Sequence, residues 1–335
     1  VNRRIVFLLC LAALTVPAFA QTTLNGAGAT FPYPIYSKWF SEYNKLHSDV
    51  QINYQSIGSG GGIRQVLNGT VDFGASDGPM SDEQLAQAKV KILHIPTVLG
   101  AVVPAYNVPG VSGEIKFTPE ILADMFLGKI TNWNDPKIAK VNPGVNFPNR
   151  DVIIVHRSDG SGTTFIFTDY LSKVSGDWAN GPKKGTTVSW PIGLGGKGNE
   201  GVAGQIRQLP GSLGYIELIY ALQNNIPYGS VKNSAGNFVK ASLSGVTEAA
   251  GSVKSMPADF RISITNAPGK DAYPISSFTW LLIPVQSKDA NKGKILNDFL
   301  NWMVGDGQKM TTQLSYAPLP QSVADKVKAT VKQVH

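Results

Sequence analysis

VQINYQSIGSGGGIRQVL, residues 50–67, decides the fold. Val50 to Ile57 reads as a strand, and Gly60 to Leu67 as the start of a helix. A glycine turn joins them directly. The same order recurs further on. Val152 to His156 reads as a strand, Arg157 to Thr164 (RSDGSGTT) as a Gly/Ser turn, and Thr163 to Val174 as an amphipathic helix. Near the start, Gly26 to Pro32 (GAGATFP) is a third such turn, and a helix can open at Pro32 or Pro34, where proline fits the first turn.

Working outward, Val71–Ala75, Ile92–Ala105, Ser212–Ile216 and Ser276–Val285 read as further strands. Helices are expected over 81–88 (opened by Ser81), 201–208, 294–304 and 322–334. This βα alternation predicts an α/β protein with parallel sheets covered by helices on both faces, and the length suits two of them. In such sheets ligands sit beyond the carboxyl ends of strands, beside helix N-termini.

The three turns share one piece of chemistry. A helix N-terminus leaves backbone N–H groups without partners and carries a partial positive charge. Glycines let an anion approach the backbone, and Ser or Thr hydroxyls add donors. Arg157 adds formal charge and a planar fork suited to a tetrahedral oxyanion. Asp77, in GASDGP (74–79), follows a short strand. One reading is a local Asx turn. The other faces it toward the anion, where it selects for an ion that still carries a proton. Phosphate at neutral pH has one to donate, and sulfate has none.

The first twenty residues stand apart. Arg3 and Arg4, an apolar run over 5–16 and Ala18-Phe19-Ala20 predict a cleaved leader, with the mature chain starting at Gln21. The run is short for a membrane span, which takes ~20 apolar residues. The single cysteine, Cys10, follows Phe7-Leu8-Leu9, which are too bulky for lipoprotein processing, so no lipid anchor is expected. A mature chain without cysteine has neither disulfide nor thiolate nucleophile.

The formal charge is +7 over 335 residues, and removing Arg3 and Arg4 leaves +5. No basic run or aromatic–basic interleaving accompanies it, so no nucleic-acid partner is expected. Ser59 and Ser161 lack the first glycine of a G-x-S-x-G elbow, having Ile57 and Asp159 two residues earlier. The Gly-Lys pairs at 128, 196, 269 and 293 are not followed by Ser or Thr, which removes a P-loop. Four scattered histidines suggest no metal site, and no cofactor is expected. A phosphoryl-transfer enzyme using the same cradle would need a nucleophile with a base or metal, and neither is visible. Pro191 to Gly201 (PIGLGGKGNEG) reads as a structural loop with Asn199 as N-cap of the following helix. The competing reading is a fourth anion turn with Lys197 as its charge. Trp39, Trp133, Trp190 and Trp280 read as core or interface aromatics.

The segments LNGAGATFPYPIYSKW, YQSIGSGGGIRQ, VDFGASDGPMSDEQL, RSDGSGTTFIFTDYL and WPIGLGGKGNEGVA, in this order, resemble the periplasmic phosphate-binding proteins of high-affinity phosphate ABC transporters. The likeness runs from about Leu24 to Ser322. It implies a type II periplasmic-binding-protein fold: two α/β lobes, a two-stranded hinge and the ligand held in the cleft. Lobe one would be 21–100 plus 275–335, and lobe two 101–274, with crossings near Gly100–Val103 and Tyr273–Ser276. The resemblance places Thr30, Phe31, Ser59, Asp77, Arg157, Ser161, Gly162 and Thr163 on inorganic phosphate, and Asp159 on the arginine. It implies a periplasmic protein, monomeric when free, that passes phosphate to membrane permease subunits paired with a separate ATPase. Two positions depart from the pattern. Gly60 stands where some relatives have a second serine, and His156 where another arginine is expected.

Overall fold

The structure is a computed structural model that describes residues 21–335. The expected leader and Cys10 lie outside the described residues. The strands are β1 (Thr22–Gly28), β2 (Val50–Ser56), β3 (Phe73–Ser76), β4 (Ile92–Asn107), β5 (Lys116–Phe117), β6 (Ile153–Arg157), β7 (Leu194–Gly196), β8 (Ser212–Glu217), β9 (Ser230–Lys232), β10 (Phe238–Val239) and β11 (Ser276–Pro284). The helices are α1 (Tyr33–Leu46), α2 (Ser59–Asn68), α3 (Asp82–Leu85), α4 (Pro119–Phe126), α5 (Pro136–Val141), α6 (Gly162–Val174), α7 (Gly176–Asn180), α8 (Gly198–Gln208), α9 (Leu218–Gln223), α10 (Leu243–Gly251), α11 (Ala290–Val304) and α12 (Gln321–Val331). None is long and apolar enough to cross a membrane.

Eight strands pair in the order β2-β1-β3-β11-β4-β8-β6-β7, and β10, β9 and β5 form a small second sheet. The expectation of two parallel sheets needs correction. Two parallel wings, β2-β1-β3 and β8-β6-β7, are joined through antiparallel strands. The cause is β4. Its 16 residues are buried up to Tyr106, and the chain runs through Pro96, Gly100 and Pro104 without turning. Residues 92–101 pair antiparallel with β11, and 102–107 pair antiparallel with β8. One strand thus belongs to both wings. The returning chain lies beside it, where Val102 N–H donates to Ile275 C=O at 2.9 Å, just before β11 begins.

Within each parallel wing the strand–turn–helix junctions lie at one end, and because β8 runs antiparallel to β4 the two ends face each other near the middle of β4. Their helices hold because each buries an apolar face. In α1, Ile35, Tyr36, Trp39, Phe40 and Tyr43 pack inward, and Trp39 Nε1 donates to Gly307 C=O at 2.7 Å, so its one polar atom is satisfied. Burying residues of this size contributes about 1.5–3 kcal/mol each. Along α12, Val323, Val327 and Val331 form the expected buried stripe. Trp133 and Trp280 are fully buried and Trp190 partly so.

Candidate functional site

The turn after β1 places Thr30 and Phe31 just ahead of α1. Tyr220 Oη donates to Thr30 C=O and Tyr316 Oη to Phe31 C=O, both at 2.6 Å, which holds this turn from two distant segments. The turn after β2 begins α2 at Ser59. Gly58 before it has φ +87, a region that favours glycine, and a Cβ there would also meet the Asp159 carboxylate. The turn after β6 begins α6 at Gly162. Ser161 caps that helix, its Oγ accepting from Thr164 N–H at 3.0 Å. Ser161 N–H is already committed to Thr186 C=O at 2.8 Å. The N–H groups of Phe31, Ser59, Gly162 and Thr163 have no protein acceptor among the described residues.

Arg157 ends β6 at 3% exposure. Its Nε and Nη2 donate to the two oxygens of Asp159 at 2.8 and 2.6 Å, a fork-to-fork pair. Nη1 points the other way, to Thr163 Oγ1 at 3.4 Å. The backbone is fixed from behind. Tyr215 Oη accepts from Arg157 N–H at 3.1 Å and shares a hydrogen bond with Thr164 Oγ1 at 2.7 Å, while its ring stacks on Phe167. Burial works against ionisation of Asp159, but the hydrogen bonds and charge of Arg157 and the Gly198 N–H overcome it. Its carboxyl therefore sits below the ordinary range.

Asp77 is 1% exposed at the end of β3. Its N–H donates to Ser59 Oγ at 3.2 Å, and Thr279 Oγ1 donates to Oδ1 at 2.8 Å. Burial raises its carboxyl to about 7, against the hydrogen bond from Thr279, the charge of Arg157 and the hydrogen bond from Ser59. A Cβ added at Gly162 would collide with Ser59 Oγ and the Asp77 carboxylate, so the N-terminus of α6 lies directly against the first wing. Gly60 N–H donates to Gly160 C=O at 2.9 Å across the same seam, and a Cβ at 60 would lie 3.1 Å from Gly160 Cα, which favours a small residue there. The eight expected anion residues and Asp159 are thus gathered in one place.

Two readings change. Asn199 is not an N-cap: α8 starts at Gly198, with Lys197 at the cap position and no side-chain cap bond. Asn199 is fully buried inside the cluster, donating through Nδ2 to Thr30 Oγ1 at 2.8 Å and to Thr163 Oγ1 at 3.0 Å. The glycine-rich stretch therefore does meet the site. It does so through Asn199 and through Gly198 N–H on Asp159 at 3.1 Å, while Lys197 is exposed. The available signal was the strand–glycine–helix order itself, since β7 runs parallel to β6 and its turn must lie beside that of Arg157. His156 stacks on Trp190 with ring centroids 4.7 Å apart, and burial lowers its basicity, so it adds no charge to the site. Among the described residues, no group of His, Cys, Asp or Glu is placed to hold a metal ion.

A buried, donor-rich seam between two α/β wings defines a solute-binding protein. The profile of the PBP superfamily domain matches residues 15–307. The phosphate-binding protein PstS of Xylella fastidiosa (strain Temecula1) is 46% identical over 94% of this chain and 87% of its own. That of Pasteurella multocida is 44% identical over 96% and 94%. The solved structure of a high-affinity periplasmic phosphate-binding protein, PfluDING, bound with phosphate, is 21% identical with a TM-score of 0.74, covering 92% of this chain and 93% of that one. Its fold is shared. The chain belongs to the PBP superfamily. Within it, the chain is a member of the family of phosphate-binding proteins PstS, a family of binding proteins for transport and not of enzymes.

Proposed function

We propose that this chain captures inorganic phosphate outside the inner membrane and delivers it to the membrane permease subunits of an ABC importer, whose ATPase is a separate subunit. The observation that carries the reading is the pairing of the buried Asp77 carboxyl, a proton acceptor when ionised, with Arg157 and with four N–H groups that have no protein acceptor among the described residues. Such a site suits an oxyanion that keeps one proton. Thr30, Phe31, Ser59 and Asp77 hold it from one side, and Arg157, Ser161, Gly162 and Thr163 from the other, with Asp159 setting the plane of the arginine. Residues 21–100 plus 275–335 act as one lobe and 101–274 as the other, turning about 100–103 and 273–276. The anion favours the closed arrangement because only there does it touch both lobes. The protein works as a periplasmic monomer.

Calorimetric titration of the mature chain, stripped of ligand, is expected to show tight one-to-one phosphate binding and no heat with sulfate. Binding of neither ion would overturn the reading. Equal binding of both would remove Asp77 from the site.

Gly162 provides a second test. Alanine suits a helix better than glycine by up to about 1 kcal/mol. Yet its Cβ would press on Ser59 and Asp77. Overpacking of this kind costs about 1–3 kcal/mol. Gly162→Ala should therefore weaken phosphate binding about tenfold to a hundredfold, with the melting temperature of the ligand-free protein unchanged or raised. Unchanged affinity would show that the seam does not close tightly on Gly162 when phosphate is bound.

A further inference from the structure

We infer that Asn199 is a positioning residue of the anion site: its amide spans the seam from Thr30 to Thr163 and turns both hydroxyl hydrogens toward the bound ion. The inference rests on the phosphate-binding reading and concerns how that site distinguishes its ligand.

The orientation of the amide is not free. Glu217 N–H, which can only donate, meets Asn199 Oδ1 at 2.9 Å. Nδ2 must then face the opposite way, and its two hydrogens are shared between Thr30 Oγ1 at 2.8 Å and Thr163 Oγ1 at 3.0 Å. Each threonine oxygen takes a second donor. For Thr30 it is the main-chain N–H of Asn199 at 3.2 Å, and for Thr163 it is Arg157 Nη1 at 3.4 Å. A hydroxyl has two lone pairs and one hydrogen. With both lone pairs engaged, the hydrogen is left to donate. Thr30, Thr163 and Asn199 are buried to within 1%, so water does not compete freely for these bonds.

The consequence is selectivity by polarity. A threonine hydroxyl alone could either donate to an ionised oxygen or accept from a protonated one. Locked by Asn199, both serve only as donors, so a proton on the ligand has Asp77 as its acceptor. The two side chains sit 169 and 36 residues from Asn199 in the chain, on opposite wings. The amide therefore also fixes the spacing between the two halves of the cradle.

The test is a double-mutant cycle read by phosphate titration. Asn199→Leu is expected to weaken binding about thirtyfold, in the range for hydrogen bonds to charged groups. In a Thr163→Val background the same substitution should cost only about threefold, because one of its two targets is gone. In a Ser59→Ala background, where Asn199 makes no contact, the full loss should remain. If Asn199→Leu does not fold, Asn199→Ala runs the same cycle. Additivity with Thr163→Val, while the wild type binds phosphate, would overturn the role of Asn199 and leave the functional reading standing. Failure of the wild type to bind phosphate would instead sink that reading itself.

Discussion

Replacing Arg157 with alanine is expected to weaken phosphate binding by about 3–5 kcal/mol, a factor of roughly a hundred to several thousand. Two losses combine. The anion loses a buried positive charge that the local geometry holds in place, and Asp159 loses the partner that keeps it ionised. Left unpaired beside a dianion, Asp159 must either take up a proton or add repulsion to the missing attraction, and both cost binding energy. Arg157→Lys should fall between the two. It restores the charge but not the fork, since one ammonium cannot satisfy both Asp159 oxygens while reaching toward Thr163. Removing Asp159 by Asp159→Ala should do less than removing the arginine, because Tyr215 and Thr163 still flank it. Titrations of the three variants give this order directly. Full affinity in Arg157→Ala would show that the arginine does not touch the anion.

The parts of the site legible in the sequence are those made by near neighbours. The resemblance implies the pairing of Arg157 with Asp159, and their separation of two residues within one turn makes it a local contact. The glycines and hydroxyls at 26–32, 58–62 and 157–164 announce themselves because a tight anion turn needs small residues in consecutive places. The structure adds what such spacing does not encode. Thr279 supports Asp77 from 202 residues away, and Tyr316 holds Phe31 from 285. A lone Thr or Tyr in a strand or loop gives no sign of its partner. Asn199 was misread for the same reason: after a run of glycines, its local role as a cap was as consistent with the sequence as its distant one. The continuous central sheet is not legible because 92–107 is a nearly unbroken apolar run in which Gly100 reads equally as a strand glycine, and only the resemblance places a crossing beside the change of partner between Ala101 and Val102.

Asp77→Asn should open the site to sulfate. In the wild type above about pH 7, where the Asp77 carboxyl is ionised, sulfate brings a bare oxygen against a buried negative charge and has no proton to share. Sites that demand a donated hydrogen reject a ligand lacking it by about 10⁴–10⁵. An asparagine can turn its amide and donate to that oxygen, so the preference for phosphate should fall to about a hundredfold or less. Phosphate itself should lose no more than about tenfold, because the amide oxygen still accepts its proton. The same substitution has a signature without ligand. Burial holds the Asp77 carboxyl at about 7 in place of 3.8. The folded chain then keeps this proton where the unfolded chain has released it, so the wild type loses stability as pH rises from about 4 to about 7 and loses no more above. Asparagine has no such proton. The difference in denaturation midpoint between Asp77→Asn and wild type should grow in the mutant's favour through that window and stay level beyond it. A flat difference from pH 4 to 8 would place the Asp77 carboxyl outside the dry seam. Continued exclusion of sulfate by Asp77→Asn would move selectivity to the donor geometry of the remaining cradle.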